Sequence, residues 1–399
     1  MHDKNAKTLQ VTPEEPLNPD AVDGTESEED LQAIDPSVLG QAVVFGTDWT
    51  AATLIDQLAR ENIKLDPIFQ RRDAWTAPRK SRFIESIVLG LPIPQLVLAE
   101  AKDEKGSFLV IDGKQRLLSL QQFAGIGLQE EAAPLVLTEL KFRSELNGKS
   151  YEDLKNDSRL RNHLNAFQNQ PIRTVVVKNW QKEDVLYLIF HRLNSETLPL
   201  SPQELRQALH PGPFLRFAAE YTTTVGGIHR ALGIDSPDFR MRDVELFVRY
   251  FAFQYDIGNY SGNLKQFLDN ECARRNQRWQ SEGNQIKEKA GQMEAAISAT
   301  FDIFGQHAFR KWDGSNYETR FNRAVFDIMV FYFSDEDIRK KALAMKTRVR
   351  EAYESLSKNR SFVKSIESTT KSVVATTTRF RLWGRQLAKT LRIQVTPPL

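Results

Sequence analysis

Short apolar blocks alternate in the first half of the chain with segments whose apolar residues recur at helical spacing. Residues 95–100 and 107–111 flank a polar turn and predict a pair of strands, and residues 172–178 predict another. Residues 114–124 place Leu117, Leu120 and Phe123 on one stripe, which indicates a helix. Strands that alternate with helices in this way favour an α/β domain.

Beyond about residue 211 the strand signals fade, and apolar spacing predicts helices, including one over residues 291–309. No internal repeat is visible at a spacing of 20–50 residues. We therefore predict an α/β domain over residues 41–210 and a mainly α-helical domain over residues 211–399. Residues 1–40 are polar and acidic, and we expect them to form a disordered tail.

Charge is distributed unevenly along the chain. The formal net charge is +2, but residues 1–40 hold ten acids and two bases, so the remaining residues have a net charge of +10. Residues 339–399 alone carry fifteen lysines and arginines against three glutamates. A body of this charge attracts polyanions, and DNA is the expected partner, although a solvated helical surface would have the same composition.

A single cysteine, Cys272, excludes an internal disulfide and suggests a reducing compartment. No apolar run approaches the ~20 residues that a membrane-spanning helix needs, so no membrane partner is expected. The polar first ten residues do not resemble a secretion signal. These features predict a cytoplasmic protein whose oligomeric state is open.

The stretch VIDGKQRLLSL, residues 110–120, places charged residues where a predicted strand meets a predicted helix. Gly113 permits a tight turn, and the free amides at the start of the helix favour an anion. Lys114 and Arg116 add positive charge, and Asp112 could hold Mg²⁺ or orient water and the arginine. The stretch predicts a phosphate-binding corner, although an ordinary Asp-Gly turn would also fit.

A second cationic segment, residues 66–82, precedes the corner. Gln70, Arg71 and Arg72 fall on a predicted loop, and unpaired arginines are costly to bury. A loop of polar residues fixed by the helix that follows suits binding. We expect Trp75, at the end of this loop, to be a packing anchor.

Four segments, FQRRDAW, FIESIVLGLPIPQLVLAE, IDGKQRLLSL and FHRLNSETLPLSPQELRQA, occur in order with sensible gaps. Together they resemble the N-terminal domain family of GmrSD-type restriction systems, whose signature is QR-x-x-x-W followed by DGQQR. The resemblance covers roughly residues 45–270. The ordered set is specific, whereas each segment alone is not.

The resemblance implies a ParB/sulfiredoxin-like α/β core and a function in defence against foreign or modified DNA. In the family, the DGQQR segment is associated with the binding and hydrolysis of a nucleotide. The positions that match the family motifs are Gln70, Arg71, Asp112, Gly113, Gln115, Arg116 and Asn194.

Two departures from the family qualify this expectation. Lys114 replaces the first glutamine of the motif. A lysine keeps the attraction for phosphate, but its ammonium group cannot accept a hydrogen bond from water. Many family members also carry a C-terminal HNH-type nuclease domain, whose site needs grouped histidines, and His307 is the only histidine after residue 271. We therefore expect the second half to be a binding or partner-contact module.

Two functions remain open from the sequence. One is a DNA-defence hydrolase that acts on a nucleoside triphosphate or a DNA phosphodiester, with Mg²⁺ as a cofactor. The other is a non-catalytic DNA-binding subunit that works with a separate nuclease. The predicted catalytic residues are Asp112, Gln115 and Arg116; the predicted phosphate-binding residues are Gln70, Arg71, Arg72, Gly113, Lys114 and Asn194.

Overall fold

The computed structural model of the chain describes residues 41–65, 73–128, 133–193, 201–367, 371–395 and 398. The predicted acidic tail, residues 1–40, lies outside the described residues. The first part of the fold combines strands and helices, in this order: β1 Val43–Thr50, α1 Ala51–Ala59, β2 Ile63–Lys64, α2 Ala77–Val88, β3 Leu96–Glu100, β4 Phe108–Asp112, α3 Lys114–Ala124, α4 Tyr151–Asn156, α5 Arg161–Asn169, β5 Pro171–Lys178, α6 Glu183–Leu193 and α7 Pro202–Leu209.

Helices dominate the described residues beyond α7, and they are joined by one short hairpin. The order is α8 Pro213–Tyr221, α9 Gly227–Leu232, α10 Arg242–Asp256, α11 Leu264–Gln277, α12 Trp279–Phe304, β6 Arg310–Trp312, β7 Tyr317–Phe321, α13 Arg323–Phe333, α14 Glu336–Ala344, α15 Lys346–Leu356, α16 Arg360–Glu367 and α17 Val373–Leu391. The predicted fold class, α/β followed by mainly α-helical, is confirmed.

The N-terminal strands form a mixed five-stranded sheet in the order β1-β5-β3-β4-β2. β5 lies antiparallel to β1 and parallel to β3, and β4 lies antiparallel to β3 and parallel to β2. Of the strands predicted from apolar blocks, those over residues 95–100, 107–111 and 172–178 become β3, β4 and β5. The two-residue β2 was not predicted, because so short a strand has no periodic signal.

Alternation along the strands gives the sheet two buried faces. Leu96 and Leu98 of β3 face a core shared with α1, α2, α3 and α5, while Val97 and Ala99 face a smaller core shared with α6 and α7. Because both faces are covered by helices, the sheet lies in the middle of three layers. The carboxyl end of β4 is therefore surrounded by packed elements.

A third and larger core fills the helical part of the molecule. Its members include Phe214, Phe247 and Phe251, whose rings pack edge to face or tilted at centroid separations of 4.8–6.3 Å. Leu118 of α3 also belongs to this core, whereas Leu117 belongs to the α/β core. Helix α3 therefore joins the two parts of the molecule.

One expectation for the helical region is wrong. The helix predicted over residues 291–309 ends at Phe304, where Gly305 takes a positive φ of 60°. Strands also occur beyond residue 211, since β6 and β7 pair as an antiparallel hairpin. The hairpin is too short for the strand signals of an apolar block, and its inner residues are held by ring contacts, including Trp312 with Tyr317 at 4.9 Å.

Candidate functional site

The predicted phosphate corner lies where β4 meets α3. β4 ends at Asp112, and α3 begins at Lys114. Gly113 between them has φ +99° and ψ +14°, a left-handed conformation that glycine adopts without strain. A side chain at this position would overlap Leu96 Cδ2 and approach the Arg116 guanidinium at 3.2 Å, so the turn requires glycine for two reasons.

An irregularity in the sheet precedes the corner. Val97 of β3 is paired with Asp112, but the next residue, Leu98, is paired with Val110, so Ile111 is an extra residue in β4. Such a bulge bends the strand and redirects the side chains beyond it. The orientation of Asp112 therefore depends on the register of two neighbouring strands.

Asp112 and Arg116 form an ion pair across the turn. Arg116 Nη2 donates to Asp112 Oδ2 at 2.7 Å. The Arg116 side chain is 9% exposed and the Asp112 side chain is 19% exposed. A charge-assisted hydrogen bond in a shielded position is stronger than one on the surface, so the pair fixes the guanidinium. Arg116 has five N–H donors, and donation to Asp112 occupies one of them.

The first turn of α3 has no side-chain cap. Its N-cap residue is Gly113, which has no side chain that could accept from the turn's backbone amides. Uncapped amides at a helix start favour an anion, and the helix dipole adds to this preference. Gln115 lies in the same turn, and its Oε1 is buried without a hydrogen-bond donor among the described residues.

Lys114, which the sequence predicts to bind phosphate, forms an ion pair within the protein. Its side chain is buried and forms an ion pair with the Glu204 carboxylate at the start of α7. Glu204 also accepts from Ser201 N at 2.6 Å, and Ser201 Oγ accepts from Glu204 N at 3.0 Å. One carboxylate therefore completes a capping box and faces the lysine of the corner.

Further charged residues continue from α7 into the helical part. Arg206 Nε donates to Asp269 at 2.6 Å, and Lys265 lies 2.9 Å from both Asp269 and Asp184. Burial opposes ionisation, but the opposite charges prevail: Arg206 and Lys265 lower the pKa of Asp269, and Asp269 raises the pKa of Lys265. The network stays charged and links α6, α7 and α11.

Four of the predicted phosphate-binding residues cannot be placed relative to the corner. Gln70, Arg71, Arg72 and Asn194 lie outside the described residues. Asp112, Gly113, Gln115 and Arg116 do come together at the turn. These assignments of binding and catalytic roles stay predictions.

Trp75 packs as expected. Its ring meets Phe83 edge to face at 5.7 Å, and the Arg79 guanidinium lies 4.8 Å from the ring centroid. Trp75 also borders the α/β core. The residue therefore anchors the start of α2.

Asp112 is the carboxylate of the corner that we consider as a metal ligand. No group of three or more histidine, cysteine, aspartate or glutamate side chains that could hold a metal ion exists among the described residues. Asp112 fits Mg²⁺ as a ligand, since Mg²⁺ is commonly bound by one or two carboxylates together with waters and substrate phosphates.

None of the described helices has the length and apolar character that crossing a membrane requires.

The ion-pair partner of Lys114 was not predicted from the sequence. The capping box at Ser201 and Glu204 is a local pattern, because its two residues are three positions apart. Nothing local indicates that the same glutamate reaches a lysine 90 positions earlier. Only the fold brings α7 against the end of β4.

Comparison with known families identifies the α/β region. Residues 53–211 match the family described as GmrSD restriction endonuclease, N-terminal domain. The match confirms the predicted resemblance and covers less than half of the 399-residue chain, all of it before α8. No curated protein and no solved structure matches the chain.

Proposed function

We propose that the chain is a restriction-type defence protein whose α/β domain binds phosphate at the Asp112–Arg116 corner. The phosphate would belong to a nucleoside triphosphate or to DNA. The domain would hydrolyse a phosphoanhydride bond of the nucleotide or a phosphodiester bond of the DNA. The family match over residues 53–211 supports the restriction-type role and a DNA partner. The corner supplies the chemistry.

One observation carries the proposal most directly: the 2.7 Å ion pair between Asp112 and Arg116 across the left-handed Gly113. The pair holds a guanidinium beside the uncapped amides of α3. Guanidinium and helix-start amides are both groups that bind phosphate oxygens. Their convergence at one turn is what an ordinary Asp-Gly turn lacks.

The proposed reaction is in-line attack of water on phosphorus: the new P–O bond forms while the bond to the leaving group breaks, and the proton of the attacking water passes to solvent. The leaving group is a nucleoside diphosphate for a triphosphate and the terminal oxygen of a DNA strand for a phosphodiester. Arg116 would neutralise the charge that develops on the phosphoryl oxygens, because its position is fixed before the substrate arrives. Gln115, with its unpartnered Oε1, would accept a hydrogen bond from the attacking water. Asp112 would hold Arg116 in place.

Asp112 fits a single-carboxylate Mg²⁺ ligand. Magnesium held by Asp112 and the substrate phosphates would neutralise negative charge at the transferred group. Because Asp112 also accepts a hydrogen bond from Arg116, its carboxylate would contact both the Mg²⁺ ion and the Arg116 guanidinium.

Lys114 takes a positioning role in this proposal. Its ion pair with Glu204 ties the first turn of α3 to α7. The substitution of lysine for the family glutamine therefore adds an internal contact next to the corner. Phosphate binding would depend on Arg116 and the backbone amides.

The test is turnover by the purified full-length protein. We would incubate it with each nucleoside triphosphate and with plasmid DNA, with and without Mg²⁺, and measure phosphate release and strand cleavage. We expect Arg116→Gln to lower turnover by about 100-fold or more, as the loss of a charge-stabilising donor does elsewhere. Arg159→Gln is the matched control, since Arg159 forms a 2.7 Å pair with Asp157 but is 85% exposed.

Arg116 is buried, so its loss could also weaken the fold. Thermal unfolding of each variant separates the two effects, and Arg116→Lys gives a second test that keeps the charge while losing the two-pronged fork. Wild-type binding and turnover in both Arg116 variants would refute the assignment.

A non-catalytic function has one observation in its favour. Asp112 is already neutralised by Arg116, which leaves its carboxylate less available to a metal ion. In this alternative, the domain would bind DNA phosphate without hydrolysing it and would recruit a separate nuclease. Metal-dependent turnover by the purified protein would exclude this alternative, while capture of a nuclease subunit without turnover would favour it.

A further inference from the structure

The last helix, α17, presents a cationic face to solvent. Arg381, Arg385 and Lys389 follow one another at intervals of four residues and are all exposed. Four residues advance a helix by ~6 Å and slightly more than one turn, so the three side chains form one row about 12 Å long. We call these three residues the α17 basic face.

The α17 basic face has no ionic partner within the described residues. None of its three side chains forms an ion pair or hydrogen bond with the described part of the molecule. Some exposed cations elsewhere do have partners, since Lys340 pairs with Glu336 and Arg60 with Asp56. The charge of the face is therefore directed to solvent.

Acidic residues are absent around this helix in the sequence. From residue 368 to residue 399 the chain contains no aspartate or glutamate, and it contains six lysines and arginines. A helix that is merely solvated commonly alternates charges of both signs, which keeps its surface potential low. Favourable interaction with the helix dipole accounts at most for Lys389 in the last turn, because Arg381 and Arg385 lie farther from the C-terminus.

The opposite side of α17 is fixed in the helical core. Phe380, Trp383 and Leu387 are fully buried, and Arg379 on the buried side lies 3.4 Å from Asp327. The helix packs on α13, α14, α15 and α16. A face on a rigid helix can be altered without disturbing the fold.

We propose that the α17 basic face is a docking surface for the phosphate backbone of duplex DNA. About 12 Å of duplex carries roughly seven phosphate charges, enough to engage all three side chains. Arginine is well suited to phosphate oxygens, and two of the three residues are arginine. Contacts of this kind give affinity without reading sequence.

Membrane and peptide partners fit the face less well. An amphipathic helix binds a lipid surface by inserting its apolar side, and the apolar side of α17 is buried in the core. The acidic residues 1–40 of this chain are the other polyanion available. We commit to DNA because a row of cations with no acidic residue in the flanking sequence matches the uniform charge of a phosphate backbone.

The α17 basic face is separate from the corner. It lies on the helix that packs on α13, whereas the corner belongs to β4 and α3. The inference rests on the proposed DNA partner, but not on hydrolysis at Asp112 and Arg116. Turnover of nucleotide in the absence of DNA should be the same in wild type and in variants of the face.

The experiment measures how DNA affinity depends on salt. Fluorescence anisotropy with two labelled 30-base-pair duplexes of unrelated sequence gives the slope of log K against log salt concentration. Each lost phosphate contact reduces the steepness of this negative slope by ~0.9. We expect Arg381→Gln/Arg385→Gln/Lys389→Gln to reduce the steepness by about 2 to 3 on both duplexes and to weaken binding at least tenfold.

A triple variant of equal charge provides the control. Arg161, Arg216 and Lys287 are exposed, lie on other helices and form no ion pair with described residues. Their replacement by glutamine removes the same formal charge and should change the slope by less than one. A charge-preserving variant, Arg381→Lys/Arg385→Lys, should retain the wild-type slope, and thermal unfolding verifies that each protein is folded.

Three outcomes would overturn the proposal. The first is an unchanged slope in the folded triple variant. The second is an equal decrease in the control variant, which would indicate a general charge effect. The third is binding of a synthetic peptide of residues 1–40 to the α17 basic face, by wild type and not by the variant, while DNA binding is the same in both.

Discussion

At the scale of single residues, Gly113 sets the geometry of the corner. Its positive φ turns the chain from β4 into α3, and its missing side chain leaves room for Leu96 and for the Arg116 guanidinium. These two requirements are independent, since one concerns backbone conformation and the other concerns packing. The ion pair of Asp112 with Arg116 depends on both.

Replacement of Gly113 by alanine should separate these requirements when it is compared with Gly106→Ala. Gly106 also has a positive φ, +82°, but a side chain there would meet nothing within 4 Å. We expect Gly106→Ala to lower the free energy of unfolding by about 1 kcal/mol through backbone strain. Gly113→Ala should lower it by about 2–4 kcal/mol, because overpacking against Leu96 adds to the strain.

Urea unfolding of both variants gives the comparison. The Gly113→Ala protein should also bind phosphate-bearing ligands more weakly, because Leu96 and Arg116 must move. Equal destabilisation by the two substitutions would mean that the overlap at Gly113 relaxes without consequence.

At the scale of elements, α3 and α7 are joined by the Lys114–Glu204 ion pair. Both side chains are nearly inaccessible to solvent, with 5% and 3% exposed. Removal of one partner of a buried pair is strongly destabilising, since the other loses its compensating charge. The pair therefore holds the corner against the start of α7.

Glu204→Gln should isolate the ionic part of this contact. Glutamine can still accept from Ser201 N and complete the capping box, but it carries no charge opposite Lys114. We expect a loss of about 3 kcal/mol in the free energy of unfolding. Ser201→Ala removes the cap and keeps the charges, and it should lower that free energy by about 1 kcal/mol.

Chemical denaturation of the two variants tests the order of these effects. Lys114→Met/Glu204→Gln should recover part of the stability that Glu204→Gln loses, because it removes the charge that lost its partner. A smaller effect for Glu204→Gln than for Ser201→Ala would show that the ion pair contributes little.

At the scale of the whole molecule, buried charges make stability depend on pH. Glu271 of α11 is fully buried, and neither carboxylate oxygen accepts a hydrogen bond from a described residue. Burial raises its pKa to about 7, although Arg275 Nε lies 3.0 Å from Oε1 and acts in the opposite direction. Desolvation prevails because the side chain has no contact with water.

The raised pKa predicts loss of stability as pH increases. The folded protein retains the Glu271 proton up to about pH 7, while the unfolded chain releases it near its ordinary value of 4.5. Stability should therefore fall between about pH 4.5 and pH 7 and then level off. Glu271→Gln should remove this decline and make the protein more stable at pH 8 than wild type, by up to about 3 kcal/mol.

Unfolding free energies of both proteins at pH 5 and pH 8 provide the measurement. Glu288→Gln, at an exposed position of α12, is the control and should follow the wild-type curve. An identical pH dependence in Glu271→Gln and wild type would exclude Glu271 as its source.

Local patterns determined much of this protein from the sequence alone. Apolar periodicity placed β3, β4, β5 and α3. The Asp-Gly turn with its following cations located the corner. Each of these signals lies within about ten residues, because hydrogen bonding and burial in a single element are local requirements. The Tyr317–Phe321 strand was missed, because its two aromatic residues are separated by three polar residues and form no apolar block.

Contacts between distant residues were decided only by the tertiary structure. The sequence presents Lys114 as a free phosphate-binding cation, but the fold brings Glu204 against it. The bulge that orients Asp112 depends on the register of β3 with β4, and the burial of Glu271 depends on how helices pack. The sequence determined which groups this protein has and where its chain turns. Which charges neutralise one another was settled by packing, because electrostatic partners are chosen by proximity in space.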